Sequence, residues 1–267
     1  MIVFPNAKIN IGLNVIAKRA DGYHNLETIF YPVKIYDALE AITAPVMHFA
    51  SSGINIPGGD EKNLCIKAYE LVSRDHPLPR VNIHLHKHIP IGAGLGGGSA
   101  DAAFFLKQLN TLSDLNLSDD DLENYARQLG ADCAFFIRNK PVYATQKGDV
   151  FKEAELDLTK YYLVVAMPDV HVSTADAYSG VVAQDGTADL RDSIKLPVAE
   201  WKHEIKNDFE RSVFKKFPVI EDLKNELYKA GALYASMSGS GAAVFGIFEV
   251  QPNLSHLEKS CRIFYKV

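Results

Sequence analysis

The densest chemical signal in the chain is a glycine-rich segment at residues 89–101, Ile-Pro-Ile-Gly-Ala-Gly-Leu-Gly-Gly-Gly-Ser-Ala-Asp. Five glycines fall within seven positions: Gly92, Gly94, Gly96, Gly97 and Gly98. So many glycines cost backbone entropy on folding, and in return they present N–H groups with no side chain in front of them. Ser99 is predicted to open a helix, whose N-terminus carries positive partial charge. The segment therefore predicts an anion cradle suited to a polyphosphate.

Three interpretations of this segment compete. A flexible turn would need only one or two glycines. Gly92, Gly94 and Gly97 also match the G-x-G-x-x-G spacing of dinucleotide-binding proteins, which requires an acidic residue about 20 positions on, at the end of a parallel strand. That distance falls on Ser-Asp-Asp-Asp at residues 118–121, which are predicted to open a helix. No Lys-Ser or Lys-Thr follows the last glycine, as a Walker loop requires, so the pattern favours a different phosphate loop, P-x-G-x-G-L-G-[S/G]-S-[S/A].

The chain also offers a carboxylate and a cation that could act on a phosphoryl group. An alcohol that attacks a phosphoryl group must lose its proton, and negative charge on the phosphoryl oxygens must be stabilised. Asp132 follows a predicted helix end and precedes an apolar run, while Lys8 and Asn10 share one face of a predicted strand. From the residues alone, a loop aspartate with local hydrogen bonds and a solvated strand lysine are the favoured interpretations.

Three segments together resemble the GHMP kinase family, which includes galactokinase and the homoserine, mevalonate and phosphomevalonate kinases. The first comprises residues 5–10, Pro-Asn-Ala-Lys-Ile-Asn, with residues 19–24, Arg-Ala-Asp-Gly-Tyr-His. The second is the glycine segment, and the third is Met-Ser-Gly-Ser-Gly-Ala at residues 237–242. The glycine segment is typical of the whole family, whereas residues 19–24 are similar to a branch that acts on a cytidine-diphosphate substrate. The resemblance implies an ATP-dependent kinase whose acceptor is the hydroxyl of a small molecule.

The resemblance also implies roles for particular residues. Asp132 corresponds to the catalytic aspartate and Lys8 to the lysine beside it, so we expect Asp132 to accept the alcohol proton and Lys8 to orient Asp132 and stabilise charge. The residues expected to bind ATP are Gly92, Gly94, Leu95, Gly96, Gly97, Gly98 and Ser99, with Lys87 and Asn63 as weaker candidates. The residues expected to bind the substrate are Asn10, Tyr23, His24, Thr174 and Tyr178. The residues of the third segment expected near the active site are Ser238, Gly239, Ser240 and Gly241.

Several alternatives stay open at this point. Tyr23 is expected to stack on the cytosine and His24 to hydrogen-bond to it, but Tyr178 fits core packing of a short helix equally well. The third segment also fits a plain hairpin turn. Mg²⁺ is expected with ATP, although the sequence identifies no protein ligand for it. For the function, the alternatives are another GHMP kinase, of the mevalonate or homoserine type, and a non-catalytic nucleotide-binding module.

Two further features are predicted to be structural. His84, His86 and His88 alternate on one strand face, with no acidic or cysteine partner near them in the sequence, so a solvated strand face is favoured over a metal site. Cys133 lies beside Asp132, but no triad pattern surrounds it, and packing is favoured over a nucleophilic role.

The elements that must position these residues follow from hydrophobic periodicity. Strands are predicted at residues 8–15, 26–43, 81–88, 162–167, 233–237, 242–249 and 262–267. Helices are predicted at residues 63–73, 99–110, 219–229 and 253–260, and after Ser118, a predicted N-cap with Asp121 in the capping-box position and Gly130 at the helix end.

These elements predict an α+β protein with two domains, residues 1–157 with the ATP-binding loop and residues 158–267. Apart from an insertion at about 170–215, the second domain reads βαββαβ, which is the ferredoxin-like order. The resemblance implies the same two-domain GHMP kinase fold, with an N-terminal domain similar to domain 2 of ribosomal protein S5. Residues 179–210 receive no role and could form a lid or mobile loop.

Composition limits the partners. The 267 residues, 47% of them hydrophobic, can build a core without disulfides or metals. A net charge of -5 disfavours nucleic acid and anionic membranes, and three separated cysteines, Cys65, Cys133 and Cys261, indicate a reducing compartment. The N-terminus enters a strand pattern at once, and no segment approaches the ~20 apolar residues of a membrane span. We therefore expect a cytoplasmic protein, monomeric or homodimeric, with a small-molecule substrate.

Overall fold

The described residues, 1–181 and 189–267 of this computed structural model, form three four-stranded sheets with associated helices. The strands are β1 (Ile2–Val3), β2 (Asn6–Lys18), β3 (His24–Tyr36), β4 (Ala38–Thr43), β5 (His48–Gly53), β6 (Val81–Lys87), β7 (Val142–Thr145), β8 (Val150–Glu153), β9 (Tyr162–Pro168), β10 (Tyr234–Met237), β11 (Val244–Phe248) and β12 (Cys261–Tyr265). The helices are α1 (Leu64–Val72), α2 (Gly97–Leu112), α3 (Asp119–Leu129), α4 (Phe135–Arg138), α5 (Thr174–Tyr178), α6 (Leu190–Ser193), α7 (Trp201–Glu204), α8 (Glu210–Lys216) and α9 (Pro218–Lys229).

The chain divides into two compact units, each made of several segments. Unit 1 comprises Met1–Ala7, Ile35–Ile91 and Gly96–Lys140. Unit 2 comprises Lys8–Lys34, Gly92–Leu95 and Pro141–Val267. The single domain boundary between residues 157 and 158 stays a prediction.

Unit 1 is a sheet in the order β1-β4-β6-β5 with helices α1 to α4 packed together beside it. Strand β6 pairs antiparallel with β4 and parallel with β5. Its alternation agrees with the predicted period, because Val81, Ile83 and Leu85 are buried while His84 and His86 are exposed. The sheet thus buries one face of β6 and leaves the histidine face open.

The helices of unit 1 begin and end close to their predicted positions. The capping box at the start of α3 is confirmed, since the Ser118 hydroxyl accepts from the Asp121 N–H and the Asp121 carboxylate accepts from the Ser118 N–H. Gly130 caps the end of the same helix. Helix α2 begins at Gly97, two residues before the predicted start at Ser99, because Gly97 and Gly98 already form part of its first turn.

Most of a second sheet, in the order β2-β3-β7-β8, belongs to unit 2. The predicted strand at residues 8–15 is confirmed within β2, but both of its faces are buried. Ile9 and Ile11 are inaccessible to solvent. The polar residues on the other face are nearly inaccessible as well: Lys8, Asn10 and Asn14. The polar face of β2, for which the residues alone favour a solvated lysine, is therefore buried.

The third sheet, also in unit 2, has the order β10-β11-β9-β12 with every neighbouring pair antiparallel. This strand order agrees with the ferredoxin-like prediction, and α9 packs on it through Ile220, Leu223 and Leu227. The predicted helix at residues 253–260 is wrong, because residues 255–260 form turns. This short connection contributes only Leu254 and Leu257 to the core.

The described part of the predicted insertion contains four short α-helices, α5 to α8. Within the segment 179–210, to which the sequence assigns no role, residues 182–188 lie outside the described residues. Among the residues that are described, every helix is too short or too polar to cross a bilayer.

Candidate active site

The glycine segment connects β6 to α2, and two of its glycines are required by the backbone itself. Gly94 has φ +77°, and a Cβ atom on it would overlap the carbonyl oxygen of Ser238. Gly96 is the N-cap of α2 with φ +71°. L-residues rarely adopt this left-handed region, so both positions favour glycine whether or not a ligand binds.

Gly97 and Gly98 open helix α2 and differ in what surrounds them. A Cβ atom on Gly97 would lie 2.8 Å from the Cγ2 atom of Ile89, so the helix start packs closely on the segment that follows β6. Among the described residues, a Cβ atom on Gly98 would meet nothing within 4 Å apart from its chain neighbours and the backbone of its own helix, and Gly98 is exposed. At Gly98 the first turn of α2 therefore presents an uncovered backbone, which suits an anion.

Asp132 lies in unit 1, in the turn at residues 131–134 between α3 and α4, and is half-buried. The next residue, Cys133, is inaccessible, and its thiol hydrogen-bonds with the Ser99 side chain in the first turn of α2. Burial raises the pKa of Cys133 to about 12, which keeps the thiol protonated. Cys133 is thus a packing residue, as predicted, and it joins the Asp132 turn to the helix that carries Ser99.

Lys8 lies in unit 2. The interpretation that the residues alone favour, a solvated lysine on a strand, is wrong. Lys8 is 3% exposed, and its Nζ atom donates to Oδ1 of Asn10 at 2.5 Å and to the carbonyl of Gly94 at 3.2 Å. The Asn10 amide in turn donates to the Thr28 hydroxyl at 3.0 Å, which donates to the carbonyl of Gly12 at 2.6 Å. Because Lys8 and Asp132 belong to different units, their pairing stays a prediction.

The three motifs meet within unit 2. The Lys8 N–H donates to the carbonyl of Leu95 at 2.9 Å, the Asn10 N–H donates to the Ser238 hydroxyl at 3.1 Å, and that hydroxyl donates to the carbonyl of Gly94 at 2.9 Å. Residues 238–241 form the hairpin turn between β10 and β11. The third motif therefore has the form of a hairpin turn, as the simpler interpretation predicts. This turn also contacts the other two motifs.

A buried amide supports this turn. Nδ2 of Asn207 donates to the carbonyls of Met237 and Gly239, both at 2.8 Å, while Oδ1 of Asn207 accepts from the Phe209 N–H at 3.0 Å. Asn207 lies in the segment to which the sequence assigns no role, and a lone asparagine gives no motif signal. Thr28 is a second residue that sequence reasoning misses, for the same reason.

Two of the predicted substrate residues, His24 and Tyr178, form an aromatic group with Phe209 in unit 2. The rings of His24 and Tyr178 stack with centroids 4.6 Å apart, and Tyr178 meets Phe209 edge-on. Tyr23 is 62% exposed, with the Nζ atom of Lys147 5.3 Å from its ring centroid. Tyr178 is half-buried and packs against the core of the unit, which agrees with the packing interpretation, and its contact with the substrate stays a prediction. Thr174 is exposed at the start of α5.

The two weaker ATP candidates, both in unit 1, have structural contacts. Asn63 is the N-cap of α1, with its side-chain oxygen accepting from the Cys65 N–H at 2.8 Å. Lys87 is buried and forms ion pairs with Asp37 and Asp101. A direct role of either residue in ATP binding stays a prediction that these contacts do not support.

The exposed histidines of β6 contact a hydroxyl on the neighbouring strand. Nε2 of His84 and Nδ1 of His86 each lie 3.0 Å from the Ser52 hydroxyl on β5. Across residues 1–181 and 189–267, no group of three or more histidine, cysteine or acidic side chains is arranged to hold a metal ion.

Comparison with known proteins agrees with this geometry. Residues 63–140 match the model of the GHMP kinases N terminal domain, and residues 195–266 match that of the GHMP kinases C terminal. The chain belongs to the GHMP kinase family, whose members are phosphotransferases.

The relatives within the family are specific. A 4-diphosphocytidyl-2-C-methyl-D-erythritol kinase of Parabacteroides distasonis is 55% identical over 93% of this chain and 92% of its own length. The enzyme of that name from Bacteroides fragilis is 53% identical over 97% of this chain and 96% of its own length. A crystal structure of 4-(cytidine 5'-diphospho)-2C-methyl-D-erythritol kinase superposes with a TM-score of 0.83 at 32% identity, covering 99% of this chain and 98% of the other. The predicted two-domain GHMP kinase fold is thereby confirmed.

Proposed function

We propose that this protein transfers the γ-phosphoryl group of ATP to the 2-hydroxyl of 4-diphosphocytidyl-2-C-methyl-D-erythritol, giving the 2-phosphate and ADP. This reaction belongs to the methylerythritol phosphate pathway of isoprenoid biosynthesis. The observation that carries the proposal is the 55% identity to a kinase of that name over more than nine-tenths of both chains. We expect the enzyme to work in the cytoplasm, without nucleic acid or membrane partners.

The uncovered start of α2 is the part of unit 1 best suited to ATP phosphates. Its free N–H groups and positive dipole end favour an anion, and the Ser99 hydroxyl lies in the same turn. Mg²⁺ bound with ATP would neutralise phosphate charge. Since the described residues contain no ready-made metal cluster, the phosphates and water are the ligands we expect to dominate, as is usual for this ion.

In the proposed reaction Asp132 accepts the proton of the attacking 2-hydroxyl, and Lys8 stabilises negative charge and orients Asp132. The buried position of Lys8 supports this role, because a charge in a site with little water acts more strongly than one in solvent. Asn10, Thr28 and the carbonyl of Gly94 fix the direction of the ammonium group. A role for Asp132 in positioning alone is the alternative, since a loose transition state needs little help with deprotonation.

The aromatic group of unit 2 is suited to the cytosine of the substrate. Every nucleic-acid base has a flat π face that can stack on an aromatic ring. The exposed ring of Tyr23 is available for such a contact. His24 offers a ring nitrogen to the edge of the base, and Tyr178 lies against His24. Thr174 could add a hydroxyl from the start of α5.

A substrate panel tests the proposal. ADP release by the purified enzyme with ATP and Mg²⁺ is measured with three alcohols in turn. These are 4-diphosphocytidyl-2-C-methyl-D-erythritol (the cytidyl alcohol), mevalonate and homoserine. We expect release with the cytidyl alcohol alone. Release with mevalonate or homoserine instead would identify a different GHMP kinase, and ATP binding without release for any alcohol would identify a non-catalytic nucleotide-binding module.

A further inference from the structure

Three charged side chains are buried together in unit 1, next to the first turns of α2. Lys87 at the end of β6 contacts the carboxylates of Asp37 and Asp101, the latter at 2.7 Å. All three side chains are at most 4% exposed. The group therefore carries one cation and two carboxylates in a nearly dry environment.

The group connects the two segments of unit 1 that flank the glycine loop. Oδ1 of Asp37 accepts from the N–H groups of His88 and Ile89, at 2.6 and 2.9 Å, and so holds the chain as it leaves β6. Asp101 belongs to α2, one turn beyond its start. Lys87 joins the two carboxylates, and the close packing of Ile89 on Gly97 brings the same two segments together.

Stability alone does not account for this group. Buried ion pairs contribute little compared with apolar residues of similar volume, because desolvation offsets the attraction. Oδ1 of Asp101 is also buried with no hydrogen-bond partner among the described residues. Burial raises the pKa of Asp101 to about 7, against the opposing effect of Lys87. The titratable groups that face it are Lys87, Asp37 and, on α1, Cys65.

We propose that Asp37, Lys87 and Asp101 are positioning residues for ATP, which hold the start of α2 in a fixed place against the end of β6 so that its N–H groups meet the phosphates. The proposal rests on the proposed function only in that the protein binds ATP. It replaces the direct phosphate contact expected for Lys87 with an indirect role.

The test compares Lys87→Met and Asp101→Asn with Glu123→Gln. Glu123 is a matched control, because its buried carboxylate is held by two cations, Arg127 and Arg138, and its helix, α3, does not carry the glycine segment. Dissociation constants for ATP and for the cytidyl alcohol are measured by calorimetry below the melting temperature of every variant. A merely structural role would change stability, or both constants together.

We expect Lys87→Met to raise the ATP constant tenfold or more and to leave that of the cytidyl alcohol within twofold. Asp101→Asn, which keeps an oxygen for Lys87, should raise the ATP constant about threefold. Glu123→Gln should lower the melting temperature without changing either constant. An ATP constant within twofold of the native value in Lys87→Met would overturn the proposal.

If Lys87→Met does not fold, Asp101→Asn decides in the same way. Turnover by the native enzyme separates this proposal from the proposed function. If ATP binding depends on Lys87 or Asp101 but the native enzyme releases no ADP in the presence of the cytidyl alcohol, the proposed substrate is wrong and the positioning role stands.

Discussion

Replacing Gly98 by alanine separates the two reasons for which a glycine can stand in this loop. Within the part of the chain that the structure describes, an added Cβ on Gly98 meets nothing within 4 Å beyond its chain neighbours and its own helix backbone, and its φ lies outside the left-handed region. The folded protein therefore loses nothing by the change, whereas a phosphate lying against the start of α2 would meet the new methyl group. Stability and ATP binding should consequently move in opposite directions.

The magnitudes follow from the geometry. Alanine at a compatible helical position stabilises by about 0.5–1 kcal/mol, because the unfolded chain loses conformational freedom, and a chain of this length then melts about 1–4 °C higher. A displaced phosphate loses a hydrogen bond that involves a charged group, which contributes about 1.5–3 kcal/mol. The dissociation constant for ATP should therefore rise roughly 10- to 100-fold.

Gly94→Ala provides the contrasting variant. Its left-handed conformation costs about 1–2 kcal/mol with a Cβ present, and overlap with the Ser238 carbonyl adds about 1–3 kcal/mol. Calorimetric melting and ATP titration of both variants make the comparison, and Gly94→Ala should melt about 4–20 °C lower. A Gly98→Ala protein that binds ATP with native affinity would show that phosphates do not lie at the start of α2, and the central argument for the nucleotide site would fail.

Three further predictions concern catalysis, recognition and pH. Asp132→Asn should lower kcat by about 10²–10⁴-fold with the ATP dissociation constant within twofold, and near-native turnover would remove Asp132 as the base. Tyr23→Ala should raise KM for the cytidyl alcohol about tenfold, from a lost stacking contact, with KM for ATP unchanged; an equal rise in both would argue against stacking. Because the pKa of Asp101 is raised from 3.8 to about 7, the native free energy of unfolding should fall as pH rises through this range. Urea unfolding of Asp101→Asn should therefore show a stability relative to native that grows by about 2–3 kcal/mol from pH 5 to 8, and a constant difference would contradict the raised pKa.

Local features of the fold were open to prediction because they depend on neighbours in the chain. The capping box at Ser118 and the end of α3 at Gly130 are decided by side chains within one turn of the helix end. The alternation that marks β6 likewise depends only on adjacent residues. The helix expected at residues 253–260 failed because a short stretch lacks a wide apolar face, and only its contacts with the sheet decide its form.

The sequence alone determined the family of this protein, through the glycine segment and the motifs at residues 5–10, 19–24 and 237–242. A backbone that binds a polyphosphate requires glycines at neighbouring positions, and such a requirement is visible in the sequence. The tertiary structure alone decided that Lys8 is buried against Asn10 and Gly94, and that Lys87 is held between two carboxylates. The partners of Lys87 lie 50 and 14 positions away, and Gly94 lies 86 positions from Lys8. Contacts of that kind depend on the path of the whole chain, because burial and pairing of a charge are properties of the packed environment and leave no local pattern.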